Sequence, residues 1–241
     1  MTSPARRHYQ RVTAALAAAD AGTAPMQGDH YQLMMASIFE DYRRLKSTQS
    51  MERKAEVKRE ILPKYDAYVA GILDTGKGAQ DEVLMRVMLW RIDAGDLEGG
   101  LDIAEYAIKH GLTPPDNFER KTAPLVTEEI ADQMLRELTR DDVEAQPLLN
   151  TLNRIKTLTC EADMHDQIRA KVHKAMGYAQ RGTGQLDDAL ANLKRALELN
   201  DRIGVKRDIE NLERDIRKAA PAQPELTQNA TEQPVVTPEQ D

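Results

Sequence analysis

At 241 residues the chain can bury a sizeable core, and a hydrophobic share of 41% excludes a wholly disordered polymer. Aromatics at 4% with abundant Ala, Leu, Glu, Lys and Arg predict an all-α fold, and a single cysteine, Cys160, excludes an intramolecular disulfide or a zinc-thiolate cluster. No apolar run nears the roughly 18 residues of a membrane span and no signal segment follows the start, so a soluble, cytoplasmic protein without a membrane partner is expected. The net charge of −7 is unevenly spread: residues 1–64 hold 11 basic and 7 acidic side chains, 65–218 hold 22 and 29, and 219–241 hold none and 4. This predicts a basic N-terminal helical region (1–64) for DNA binding or oligomerisation, a helical-hairpin core (65–218) and a disordered acidic tail (219–241).

Ser3 and Pro4 signal a helix start, and "ARRHYQRVTAALAAAD" has the composition of a good helix. Arg6, Arg7 and Arg11 can turn toward one side of it, with His8 and Tyr9 between, as a phosphate-contacting arm. "AGTAPMQG" (21–28) reads as a flexible linker. From Tyr31 a very polar helical segment carries an interrupted apolar seam, Met34, Ile38, Leu45, Val57 and Ile61, until Pro63 breaks it. Such a seam needs a partner surface, from this chain or from another copy, and homo-oligomerisation through it is one expectation. Arg43, Arg44, Lys46, Arg53 and Lys54 extend the candidate DNA-binding set, with Lys58 and Arg59 behind; Glu52, Glu56 and Glu60 interleave with them at spacings that also describe a self-compensating solvated helix. With so few aromatics, contact with duplex phosphates is expected over stacking on single strands. A helix-turn-helix within residues 4–48 would need a tight turn where the sequence has the longer Gly/Pro linker.

"GILDTGKG" has the G-x-x-x-x-G-K spacing of a phosphate-binding loop, yet Gly78 stands where Mg²⁺ needs a Ser or Thr, and Tyr65, Val69, Ile72 and Leu73 predict a helix leading in where a strand is required. A glycine-rich helix stop and hinge is expected here, and no ATPase. Beyond it the chain repeats at an offset of 89 residues: "GDLEGGLDIAEYAIKHG" (95–111) lies over "GQLDDALANLKRALELN" (184–200), matching Gly95 with Gly184, Leu97 with Leu186, Leu101 with Leu190 and Ala107 with Ala196. An amphipathic helix precedes each copy, so each unit reads helix, glycine turn, helix. The second resembles one tetratricopeptide repeat through Gly177, Ala189, Leu193 and Ala196, without that motif's aromatic residues. Between the units, a proline-punctuated loop leads to a helix that Thr127 can cap, with Glu128 and Glu129 in its first turn, and another helix runs from Pro147 to Leu158.

The string "DEVLMRVMLWRIDAGDLEGGLDIAEYAIKHGLTPPDNFERKTAPLVTEEIAD", with Trp90, Asp93, Gly95 and the Pro114-Pro115-Asp116 turn, resembles the core of the small terminase subunits of peduovirus-type tailed phages. "SPARRHYQRV" resembles that family's start, and the resemblance spans roughly residues 3–216. It implies binding at the cohesive-end site of phage double-stranded DNA, endonucleolytic cleavage and packaging with a large ATPase subunit; several copies acting together at one DNA site, in the cytoplasm of the bacterial host, are expected.

The residues themselves name no nuclease centre. Pro115-Asp116 with Glu119-x-Lys121 has the elements of a metal-dependent nuclease motif, but compressed into a loop. Cys160, His165 and His173, with Asp163 or Asp166, include histidines eight residues apart, roughly 12 Å along a helix, too far for joint ligation. No metal site and no catalytic residue is nominated; Mg²⁺ would be the cofactor if this chain itself cuts DNA. The alternative from another class is a tetratricopeptide-like adaptor that binds only protein.

Overall fold

The computed structural model describes residues 3–115, 121–140 and 142–219, and among these the fold is entirely helical. The expected tail lies outside the described residues except for its first position, Ala219, which ends the last helix. Helix α1 (Pro4–Ala21) starts where the sequence signals it, with the Ser3 hydroxyl accepting from the Arg6 amide at 3.3 Å. It lies along α4 (Asp66–Thr75), burying Gln10, Ala14 and Ala18. The approach is close because α4 offers Gly71: a side chain there would sit 3.0 Å from both the Ala14 Cβ and the Ala15 amide nitrogen, and closer still to the Arg11 carbonyl. Thr75 adds a hydroxyl bond to the Ala15 carbonyl at 2.8 Å.

The segment after α1 is tied down, contrary to the flexible linker expected. Met26 is buried and its amide donates to the Gln80 carbonyl at 3.0 Å, stitching the connection to the loop before α5 (Glu82–Ala94). The polar segment that follows is two helices, α2 (Asp29–Ser47) and α3 (Met51–Ile61), broken where Ser50 caps α3 by accepting from the Arg53 amide at 3.2 Å. The tight helix connection is therefore at 48–50 and not at the Gly/Pro segment. All five seam residues, Met34, Ile38, Leu45, Val57 and Ile61, are buried in the main core, where α2 and α3 pack on α5. The seam's partner comes from its own chain, which removes the need for a second copy there. Asp41, also on the buried side of α2, receives Lys64 at 2.8 Å and the Tyr65 hydroxyl at 2.5 Å, pinning α2 to the short turn Leu62–Lys64 that replaces the helix at Pro63.

Nine of the thirteen residues of α5 are buried, so it is a core helix on nearly all sides, with α2, α3, α6 and α7 packed against it. Asp81 caps it, accepting from the Leu84 amide at 3.0 Å and from the Tyr68 hydroxyl at 2.7 Å. Gly95, left-handed at φ 88°, turns α5 back into α6 (Leu97–His110). After the loop come α7 (Thr122–Glu137), α8 (Ala145–Leu158) and α9 (Asp166–Gly182). Thr127 is not the cap of α7: it lies buried inside the helix and bonds back to the Ala123 carbonyl at 2.7 Å, while Thr122 in the first turn holds the Leu112 carbonyl. Gly184, φ 78°, makes the second hairpin, α9 with α10 (Leu186–Leu199), and α11 (Lys206–Ala219) closes a small second apolar cluster of Ala189, Leu193, Val205, Ile209 and Leu212.

Candidate nucleic-acid interface

The basic residues of the first 64 positions divide into two kinds once folded. Arg11 donates through Nε to Asp74 of α4 at 2.9 Å, Arg44 pairs with Glu60, and Arg53 pairs with Glu56 at 2.5 Å and reaches Glu60 at 3.9 Å. Lys58 is committed to Asp93 at 2.5 Å, and Arg59 donates to the Ala94 carbonyl at 3.2 Å. Arg6, Arg7, Arg43 and Lys46 are exposed, Lys54 is half-buried, and among the described residues none of the five enters an ion pair. A cation already facing a carboxylate presents little net potential to a phosphate, so these five dominate the positive surface of the region.

At about 100° per residue, Arg43 and Lys46 share one side of α2, and Arg44 turns away to meet Glu60. Phe39 and Tyr42, 51% and 41% exposed, stand on that same side. The Arg86 guanidinium of α5 lies 5.4 Å from the Tyr42 ring and holds Glu82 at 2.9 Å. This mixture of two free cations and two exposed aromatics was missed when only charges were followed, although residues 39, 42, 43 and 46 show the spacing of one helix face in the sequence itself. Arg6 and Arg7 begin α1, a helix that leans on α4, so the arm and the α2 face are separate features. Within the arm the three arginines do not form one front, because Arg11 faces Asp74 while Arg6 stands away from it.

The other sequence candidates resolve into structural roles. Gly76 ends α4, the Gly78 amide donates to the Tyr106 hydroxyl at 2.9 Å, and a side chain at Gly78 would strike His110. The glycine segment is thus a helix stop packed on α6, with a helix leading in and an amide already engaged. Asp116 and Glu119 lie outside the described residues, and Lys121 precedes α7. Cys160 is exposed, His165 sits at the start of α9, and His173 shares a 2.8 Å hydrogen bond with Asn192. Burial holds the His173 pKa down; the Asn192 bond opposes this, and Lys156, Arg195 and Arg169 reinforce it. Among the described residues no three His, Cys, Asp or Glu side chains are grouped to hold a metal ion. A strongly perturbed carboxyl, Asp81, is raised to about 6 by burial, in a closed core position beside Tyr68 and away from any open cleft. Among the described residues no helix is long and apolar enough to cross a membrane.

Residues 35–167 match the family model described as the phage small terminase subunit. The chain is 43% identical over 231 residues to "Terminase, endonuclease subunit" of Escherichia phage P2, covering 95% of this chain and 92% of that protein. It is 23% identical over 197 residues to "Probable terminase, endonuclease subunit" of Haemophilus phage HP1 (strain HP1c1), covering 76% and 69%. The α2 face with Arg43 and Lys46 falls inside the family match, and the arginines of α1 lie before it.

Proposed function

We propose, starting from the fact that this chain belongs to the phage small terminase subunit family, that it binds the cohesive-end site of phage double-stranded DNA and directs its cleavage and packaging together with a large ATPase subunit. The observation that carries this reading is the near full-length similarity to a protein named as a terminase endonuclease subunit. Arg6, Arg7, Arg43, Lys46 and Lys54 meet the duplex backbone, since among the described residues none of them has an internal counter-ion, while Arg11, Arg44 and Arg53 would first have to leave theirs. The apolar core runs unbroken across residue 64, so the division proposed there is one of charge and role: a DNA-contacting region before it, a partner-binding helical core after it. Several copies at one site multiply weak phosphate contacts and deliver that site to the motor.

The endonuclease association comes with the family, and no residue of this chain is assigned to bond breaking. The helix–glycine–helix units support a tetratricopeptide-like mode of gripping the large subunit, through the exposed sides of α6 and α10, since α5 is enclosed in the core. Binding of the intact chain to cohesive-end DNA, measured across a salt series, tests the reading: affinity should fall steeply with salt, and Arg43→Ala with Lys46→Ala should weaken it and flatten the slope by about one per lost phosphate contact. Salt-independent or absent binding would leave only the protein adaptor. Incubating the chain alone with site DNA and Mg²⁺ settles who cuts: nicking places the centre here, and intact DNA places it in the large subunit.

A further inference from the structure

Every large apolar side chain left exposed among the described residues sits at or before Met51, and three of them align on α1. Tyr9, Val12 and Leu16, 66%, 41% and 67% exposed, are spaced i, i+3 and i+7, on the side of the helix opposite the buried Gln10, Ala14 and Ala18. A single exposed leucine is ordinary; a row of three on the back of a helix whose front is already packed is not explained by the core. Beside Leu16 lies an open cleft of about 740 Å³, bordered by Thr13, Asp20, Pro25, Gln27 and His30.

The charges on this helix select what covers the row. Arg6 flanks it at the start and Asp20 at the end, both exposed and neither in an ion pair among the described residues. Since α1 runs Pro4–Ala21, its midpoint falls beside Val12. A second copy laid antiparallel about a twofold axis there sets Tyr9 opposite Leu16, directing the tyrosine toward the cleft, and brings Arg6 against Asp20 twice. A parallel arrangement would instead set Arg6 on Arg6 and Asp20 on Asp20. We propose that the outer face of α1 is the surface on which two copies of this chain join, α1 against α1, antiparallel about Val12. The proposal rests on the several-copy part of the reading above and names its contact surface. In this arrangement Arg6 leaves the phosphate-contacting set given above, which is then Arg7, on the far side of the helix, with Arg43, Lys46 and Lys54.

Sedimentation of the full chain tests both levels. The parent should be a dimer or a multiple of it, and Leu16→Asp should raise the dissociation constant about tenfold or more, since an exposed position can change without loss of fold. Arg6→Asp and Asp20→Arg should each weaken assembly, and the double exchange should restore it. In a Cys160→Ser background, Val12→Cys should cross-link on mild oxidation, while Leu16→Cys should not, because the two Leu16 positions would stand roughly 10 Å apart along the axis. A parent that is monomeric at every concentration overturns the several-copy reading itself. An assembled parent indifferent to Leu16→Asp, or one in which Leu16→Cys cross-links and Val12→Cys does not, overturns this surface and leaves the copies standing.

Discussion

Gly71 is the point at which the N-terminal arm is joined most closely to the body, and replacing it with alanine should release that arm. The added methyl would stand 3.0 Å from the Ala14 Cβ and the Ala15 nitrogen and closer still to the Arg11 carbonyl, all on α1. Two of these atoms are backbone, so no side chain can rotate out of the way, and α1 must withdraw by about 1 Å to restore ordinary contact. Overpacking of this kind costs about 2 kcal/mol. What opposes withdrawal is modest: the buried methyls of Ala14 and Ala18 and one hydroxyl bond from Thr75, while the Arg11–Asp74 pair is half exposed on both sides and adds little. The strain is relieved most cheaply by α1 lifting from α4, so the detached fraction should rise on the order of thirtyfold, the equilibrium equivalent of about 2 kcal/mol. Native-state hydrogen exchange resolves this: amides of α1 should lose protection while those of α5 keep theirs. Unchanged α1 protection, or a loss shared equally by α5, would refute the argument that α1 is held locally at Gly71.

Asp81 makes stability depend on pH. Burial raises its pKa from 3.8 to about 6, so the folded chain holds the proton more tightly than the unfolded chain does. Its contribution is therefore fully present below about pH 4 and lost as pH rises through about 6, a change of about 3 kcal/mol. Urea unfolding of Asp81→Asn should show a flatter profile over that window than the parent; identical profiles would refute the assignment. On the α2 face, Arg43→Ala should cost more DNA affinity than Arg44→Ala, because Arg44 is engaged with Glu60; equal losses in an anisotropy titration would show that the ion pair does not decide availability. At the second hairpin, a methyl on Gly177 would stand 2.7 Å from two atoms of Leu193 and 3.1 Å from the Ala189 carbonyl, so Gly177→Ala should lower stability by about 1–3 kcal/mol. In a Leu193→Ala background that penalty should largely vanish in a thermal-melt cycle, and full additivity would count against the contact.

The readable parts of this fold are those set by neighbours along the chain. The seam from Met34 to Ile61 shows in the sequence because helical periodicity needs only local spacing; the break before α3 did not, although the Ser50 cap that makes it is an equally local signal. What the seam packs against was not readable, since α5 begins more than twenty residues beyond it and nothing in the spacing distinguishes that helix from a second copy. The same limit applies to the cations. Sequence spacing shows that Glu60 lies within a polar helix, but the Arg44–Glu60 pair needs the reversal at 48–50, and Arg11–Asp74 joins positions 63 apart. Thr127 and Thr122 are five residues apart and both end up buried; which hydroxyl turns to the Leu112 carbonyl and which bonds within the helix is set by the packing of α6 on α7 and not by spacing along the chain. For the candidate interface, the count of basic residues was therefore legible and their availability was not. The aromatic half, Phe39 and Tyr42, shows as exposed only once the inner side of α2 is known to be filled.

The 89-residue repeat illustrates how one hairpin geometry can be met by two distributions of volume. Gly95 and Gly184 both turn left-handed, and Ala107 and Ala196 are both fully buried, so the turns and the far ends correspond. At the crossing the sizes are exchanged: the second unit sets Gly177 on its first helix against Leu193 on its second, and the same register in the first unit holds Met88 and Ala104. At that register a large residue thus stands on opposite helices in the two units. Packing constrains the summed volume between helices more tightly than the identity at either position, which is why the glycines of the turns align across the repeat and the residues of the crossings do not. The first hairpin closes instead on Gly100, where a side chain would meet Ile92 at 2.7 Å, so its own point of closest approach lies one turn nearer the glycine turn than Ala104. The two units consequently share their glycine turns and far ends while their points of closest approach are differently placed.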